Sequence, residues 1–200
     1  MNNLASEESN QEVEADQPKT TMRVIVEWMT VLTAALMLAL ILRSVLFQAY
    51  YIRFTSMEPT LQNGDRVLVL KHHNNLSRGD LIVFERPNGV SGHPNDDLIK
   101  RVIALPGEVI KLIDGDVYIN DRRLHEPYLT TSGITTGTLE LACRTAAEQE
   151  GCLIGAEEVF VMGDNRTNST DSRAFGPISE DLIVGQAIIR LWPVNELGRI

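Results

Sequence analysis

The chain has 200 residues and a formal net charge of −9. That length accommodates one anchor and one soluble domain of ordinary size rather than two catalytic domains. An acidic balance with no basic stripe excludes nucleic acid as a partner, because phosphates are neutralised by a basic surface.

The acid is unevenly placed. Glu7, Glu8, Glu12, Glu14 and Asp16 crowd the first twenty positions among Ser, Asn and Gln. Residues 1–22 carry too little apolar surface to fold and are expected to be a disordered acidic tail. From about Val24 to Phe47 the composition switches to Leu, Ala, Val, Met and Ile, with Glu27 near the start and Arg43 near the end. A helix over 23–48, rising about 1.5 Å per residue, spans the roughly 30 Å hydrocarbon layer of a membrane, and both charges lie near enough to an interface to snorkel. A cleaved secretory signal would instead show a short apolar core, a positive leader and a small-residue cleavage site. Here the leader is acidic and Phe47-Gln48-Ala49-Tyr50-Tyr51 is bulky. Lys19 and Arg23 before the run are matched by Arg43, Arg53 and Arg66 at or after it, so charge does not orient the anchor.

Residues 49–200 read as mostly β. Short runs such as Arg66–Leu70, Leu81–Phe84, Leu98–Leu105, Val159–Met162 and Ala187–Trp192 are separated by Gly, Pro, Asn and Asp. Val109–Ile113 and Asp116–Ile119, joined by Asp114-Gly115, form the clearest hairpin, since an Asp-Gly pair suits a tight primed turn. The segment 124–158 breaks the pattern and is expected as an excursion from the sheet. Cys143 and Cys152 both fall in it, without the CxxC spacing of a metal or redox site. A structural disulfide is expected if the domain lies outside the cytoplasm, and two free thiols otherwise.

Ser56, just after the anchor, needs a base before its hydroxyl can act as a nucleophile. His72, His73, His93 and His125 sit in polar, loop-like surroundings, and no GxSxG elbow surrounds Ser56. Lys100 is different: in a strand it shares a face with Leu98, Val102 and Ala104, and burial there would lower its pKa toward that of a general base. Taken alone, it reads more readily as a snorkelling edge-strand lysine than as a base, because parity does not establish burial.

The segments Ile52–Leu61, Arg78–Phe84, Leu98–Glu108 and Gly163–Arg173 before Phe175-Gly176, following an anchor, resemble bacterial type I signal peptidases, membrane-anchored Ser-Lys proteases of peptidase family S26. The resemblance implies a single N-terminal transmembrane helix and an extracytoplasmic, mostly β catalytic domain. It makes Ser56 the nucleophile and Lys100 the general base. Ser169 matches a serine that hydrogen-bonds the lysine, Asp171 and Arg173 match an ion pair near the site, and Asp164 and Asn165 open the same loop. Phe54 stands where many members carry a serine that helps hold the oxyanion, leaving the Ser56 N–H as donor, and Thr167 replaces a usual aspartate. The implied substrates are signal-peptide-bearing preproteins cleaved after small side chains at the first and third positions before the scissile bond. The lipid bilayer is the other partner, and no metal or organic cofactor is implied. The implied location is the plasma membrane, single-pass, with the thylakoid membrane as the alternative. Two rivals remain: a soluble self-cleaving SOS repressor, opposed by the anchor and the acidic balance, and a non-enzymatic membrane adaptor, which leaves the joint motifs unexplained.

Overall fold

The computed structural model describes residues 21–71, 75–90, 96–129, 135–136, 139, 143 and 151–200. Its chain divides into two compact units, Met1–Leu42 and Arg43–Ile200. Helix α1 runs Thr21–Leu46 and buries none of its residues within the chain. It is apolar around its whole circumference, with a mean hydropathy of 2.2 in its most apolar window, the pattern of a helix whose solvent is lipid. Its Thr30 and Thr33 hydroxyls are satisfied within the helix, donating to the carbonyls of Glu27 and Met29. It starts and stops two residues earlier than the expected 23–48, because Phe47 and Gln48 already pair in a strand. Residues 1–20 of the acidic tail lie outside the described residues, while Thr21 and Met22 are helical.

The second unit is built from two antiparallel sheets. The larger takes its strands in the order β1 (Phe47–Tyr51), β2 (Arg66–Leu70), β11 (Ile183–Trp192), β3 (Leu81–Phe84), β4 (Leu98–Ala104), β9 (Glu158–Met162) and β10 (Ile178–Ser179), with β12 (Gly198–Arg199) also on β11. The smaller runs β7 (Arg122–Arg123), β6 (Asp116–Ile119), β5 (Val109–Ile113) and β8 (Cys152–Leu153). The expected hairpin is β5–β6, with Ile113 opposite Asp116. Asp114 and Gly115 both take positive φ, 51° and 86°, as a primed turn requires. The excursion over 124–158 is not wholly outside the sheets: Cys152 pairs with Ile110 as β8 and Glu158 opens β9.

Alternation along the strands feeds separate cores on the two faces of the large sheet. In β3, Leu81 and Val83 pack with Met57, Leu61, Val67 and Val69, whereas Ile82 and Phe84 pack with Leu98, Val102, Val159 and Ile178. In β9, Val159 and Val161 join that second cluster, and Phe160 and Met162 face a third beneath the small sheet, with Ile103, Ile110 and Ile154. Strand β4, hydrogen-bonded on both sides, borders all three; among its residues only Ile99 is not buried. A side chain on β4 is therefore held by a buried strand paired on both sides.

Candidate active site

Ser56 belongs to a loop whose base is closed by Ile52 N–H donating to Asp65 O and Gly64 N–H donating to Ile52 O, each at 2.9 Å. The loop's own sequence fixes its tip. Met57 and Leu61, both fully buried, sink into the core, and Leu61 N–H donates to Met57 O at 2.9 Å. Burying a large apolar residue immediately beside Ser56 turns the hydroxyl toward the neighbouring cleft.

Lys100 leaves the middle of β4 and is 3% exposed. Its Nζ donates to Ser56 Oγ at 2.7 Å and to Ile99 O at 3.1 Å. Among the described residues no carboxylate forms an ion pair with it. Burial lowers its pKa from 10.5 to about 8; Asp171 and Asp164 oppose that shift, and Arg86 and Arg173 add to it. The amine is thus partly unprotonated at neutral pH and touches the hydroxyl whose proton it would take.

The loop from Gly163 to Arg173 grips the Ser56 segment from behind. Asn165 N–H donates to Ser56 O at 3.0 Å, Asn165 Nδ2 to Thr55 O at 3.1 Å, and Asn168 Nδ2 to Thr55 Oγ1 at 3.0 Å. Gly163 is required by close approach, since a Cβ there would collide with Ser169 Oγ and the Ser56 carbonyl. Asp171, fully buried, caps the short helix α2 (Ser172–Phe175) by accepting from Arg173 N–H, and also accepts from Arg173 Nε, Arg173 Nη2 and Gly163 N–H. Burial alone would push its carboxyl up, but the Arg173 guanidinium and those N–H donors hold it below the usual carboxylate range.

Asp164 does more than shape its own turn. Its side chain, with no exposure, accepts Arg101 Nε at 2.8 Å, Arg101 Nη2 at 2.6 Å and the Thr60 hydroxyl at 2.5 Å. Arg101 had no role in the sequence reading, although a second charge beside Lys100 in an apolar strand was a visible signal. Its guanidinium also donates to Gly79 O and lies 4.0 Å from the centre of the Tyr128 ring. Ser169 differs from expectation. Lys100 donates to Ser56 Oγ and Ile99 O, not to Ser169, whose buried hydroxyl makes no well-formed hydrogen bond while lying near enough to help hold the Asp171 carboxyl down. Cys143 and Cys152 are joined by a disulfide with Cα atoms 5.3 Å apart. His72, His73 and His93 lie outside the described residues, and His125 lines a separate hollow with Arg78 and Glu108.

Beside Ser56 and Lys100 runs a cleft lined by Ala49–Phe54, Ser56, Val83 and Asp96–Lys100. Phe54 stands on its wall, half exposed, and the Tyr50 hydroxyl donates to Asp97 Oδ2 at 2.9 Å.

The family model for signal peptidase, peptidase S26, matches residues 25–192. Signal peptidase IB of Staphylococcus aureus (strain COL) is 34% identical over 181 residues, 86% of this chain and 92% of that protein. Signal peptidase I T of Bacillus subtilis (strain 168) is 35% identical over 196 residues, 96% of this chain and 97% of that protein. A solved signal peptidase I from Enterococcus faecalis V583 aligns at 30% identity and TM-score 0.43, covering 56% of this chain and 97% of that one. With both relatives matched over nearly their full length, the chain belongs to the signal peptidases of peptidase family S26, serine endopeptidases that are anchored in membranes and act on signal-peptide-bearing preproteins.

Proposed function

We propose that this peptidase works through a Ser56–Lys100 dyad and an acyl-enzyme. The observation that carries the reading is the 2.7 Å contact between Lys100 Nζ and Ser56 Oγ, made by a lysine stripped of water and of any paired carboxylate among the described residues. Neutral Lys100 takes the Ser56 proton as Oγ attacks the scissile carbonyl. The resulting ammonium returns a proton to the leaving amine, and the neutral amine then activates water to hydrolyse the ester. The Ser56 N–H, which donates to no other described residue, is the oxyanion donor. Ser169, Asp171, Arg173, Asp164 and Asn165 hold the dyad's surroundings rather than reacting.

The cleft along Tyr50–Phe54 and Asp97–Ile99 receives the preprotein as an added strand, with apolar walls at Ile52, Phe54, Val83 and Ile99 suited to small side chains before the cleaved bond. The acidic tail lies in the cytoplasm, α1 is a single crossing of the plasma membrane, and the β domain lies outside, where an oxidising compartment maintains the Cys143–Cys152 disulfide. Protease added to right-side-out vesicles should reach the domain; protection of the domain with loss of the tail would reverse the topology.

Purified enzyme in detergent, mixed with a preprotein, tests the chemistry. Ser56→Ala and Lys100→Met should each abolish release of the mature chain while the domain stays folded, and the parent's rate should rise as pH passes through about 8, where Lys100 loses its proton. Turnover retained by either variant, or a rate that peaks in acid, would overturn the dyad.

A further inference from the structure

Glu126 lies in the excursion beyond β7, and each of its contacts leads toward the dyad. Its carboxylate accepts from both terminal nitrogens of Arg166, Nη1 at 3.1 Å and Nη2 closer still, and the Tyr128 hydroxyl donates to its Oε1 at 2.6 Å. The Arg166 side chain is 1% exposed. Its remaining donors are spent inward, Nη1 on Thr135 Oγ1 at 2.8 Å and Nε on the Gly163 carbonyl at 3.1 Å. The N–H of Gly163 donates to Asp171 Oδ2 at 2.9 Å, so the peptides on both sides of that glycine are fixed.

Gly163 has no slack, being wedged against the Ser56 carbonyl and Ser169 Oγ. Two residues on, Asn165 N–H holds Ser56 O. A second route runs through Tyr128, whose ring lies over the Arg101 guanidinium that pairs with Asp164, the residue after Gly163. Removing the Glu126 carboxylate would leave a buried arginine charge uncompensated, and such a charge moves toward water. Arg166 can do that only by releasing the Gly163 carbonyl.

We propose that Glu126 is a positioning residue for the reaction: through Arg166 and Gly163 it holds Ser56 against Lys100 and keeps the Gly163–Arg173 loop packed over the lysine. The proposal rests on the Ser56–Lys100 assignment. The charged groups facing Lys100 are Asp171, Asp164 and Arg173 of that loop and Arg86 beyond β3. Since burial is the largest influence on the amine, loosening the loop hydrates it and moves its titration upward toward the ordinary lysine value.

Full-length Glu126→Ala and Glu126→Gln enzymes, in detergent with a preprotein, are compared with the parent and with Ser56→Ala. Glu126→Ala should lower kcat about tenfold, within the range that a misplacement below 1 Å produces. KM should hold, because among the described residues none of the excursion lines the substrate cleft. The rising limb of the pH profile should move up by about half a pH unit or more. Glu126→Gln, which keeps the shape and one acceptor, should recover part of the loss, and its effect should vanish in an Arg166→Gln background. A kcat that falls only with the folded fraction, over an unmoved pH limb, would make Glu126 merely structural and overturn the proposal, as would an unchanged kcat. If Glu126→Ala does not fold, Glu126→Gln decides by the same readings. Cleavage surviving in Ser56→Ala would strike the dyad assignment instead.

Discussion

Lys100 and Arg101 are neighbours on β4, 3% and 7% exposed, and their side chains leave opposite faces of the strand. Arg101 is saturated, with a bidentate carboxylate at Asp164, a carbonyl at Gly79 and the Tyr128 ring. Among the described residues Lys100 donates only to a hydroxyl and a carbonyl. Equal burial therefore has opposite chemical results. The guanidinium, charged in any surroundings, is paired and ties elements together, whereas a buried ammonium left without a paired anion gives up its proton more easily. Burial is the main cause of the Lys100 shift, and Asp164, engaged by Arg101 through both carboxylate oxygens, raises the Lys100 pKa only as a secondary influence.

The sharpest way to break that contrast is to give the lysine position a cation that cannot deprotonate. Lys100→Arg should be as inactive in preprotein cleavage as Lys100→Met, about 10⁴-fold below the parent, because guanidinium remains protonated at any working pH. Turnover in Lys100→Arg well above that of Lys100→Met would show that charge, not basicity, is what the site needs.

On the other face, Asp164→Ala should destabilise the enzyme by about 3 to 5 kcal/mol, the cost of stranding a buried charge. The double variant Asp164→Leu with Arg101→Met should recover much of that loss, since both charges go together. Thermal melting in detergent reads both. If the single variant melted like the parent, Arg101 would have found water that its 9% side-chain exposure does not indicate.

The lysine should show the reverse sign. Its pKa is depressed from 10.5 to about 8, so below pH 8 it is protonated in both states and the folded state bears the cost of a buried charge. Between about 8 and 10.5 the unfolded chain still holds a proton that the folded one has lost, and stability rises with pH. Lys100→Met should therefore stabilise the protein at pH 7 by about 3 kcal/mol, with the gain fading as pH approaches 10.5. A stabilisation that did not fade would reflect better packing by methionine instead.

Both charges of this contrast were visible in the apolar run, but the lysine's role came from resemblance and the arginine's partner was not legible. A lysine at the parity of Leu98 and Val102 in an apolar run is a local pattern, as are the Asp114-Gly115 turn and the circumferentially apolar helix. The partner of Arg101 is 63 positions away, and Glu126 and Arg166 are 40 apart. Spacing carries no sign of such pairs. Strand β11 begins at Ile183, earlier than the apolar run at Ala187, because its pairing with β2 and β3 carries it through Gly185 and Gln186. Ser169 was reached by resemblance, which aligned its position but not the direction of its hydroxyl.

The smallest effect is expected at Phe54, where the comparison passes from buried cations to the cleft they serve. Its ring is 51% exposed and lines the wall that also contains Ile52, Val83 and Ile99, so under the proposed strand addition it would make apolar contact with the substrate. Trimming a half-exposed ring to serine removes part of that contact, about 1 kcal/mol at the usual value per area, or about fivefold in KM. If the introduced hydroxyl reached the oxyanion instead, it would raise kcat with KM unchanged, since such a donor acts only on the charge that develops in the transition state. Steady-state kinetics of Phe54→Ser on a preprotein separate the two. The exposure of the ring favours the rise in KM. A fall in kcat at constant KM would contradict both roles and would mean that Phe54 steers the Ser56 loop, two residues from the nucleophile and three from the Met57 side chain that anchors it.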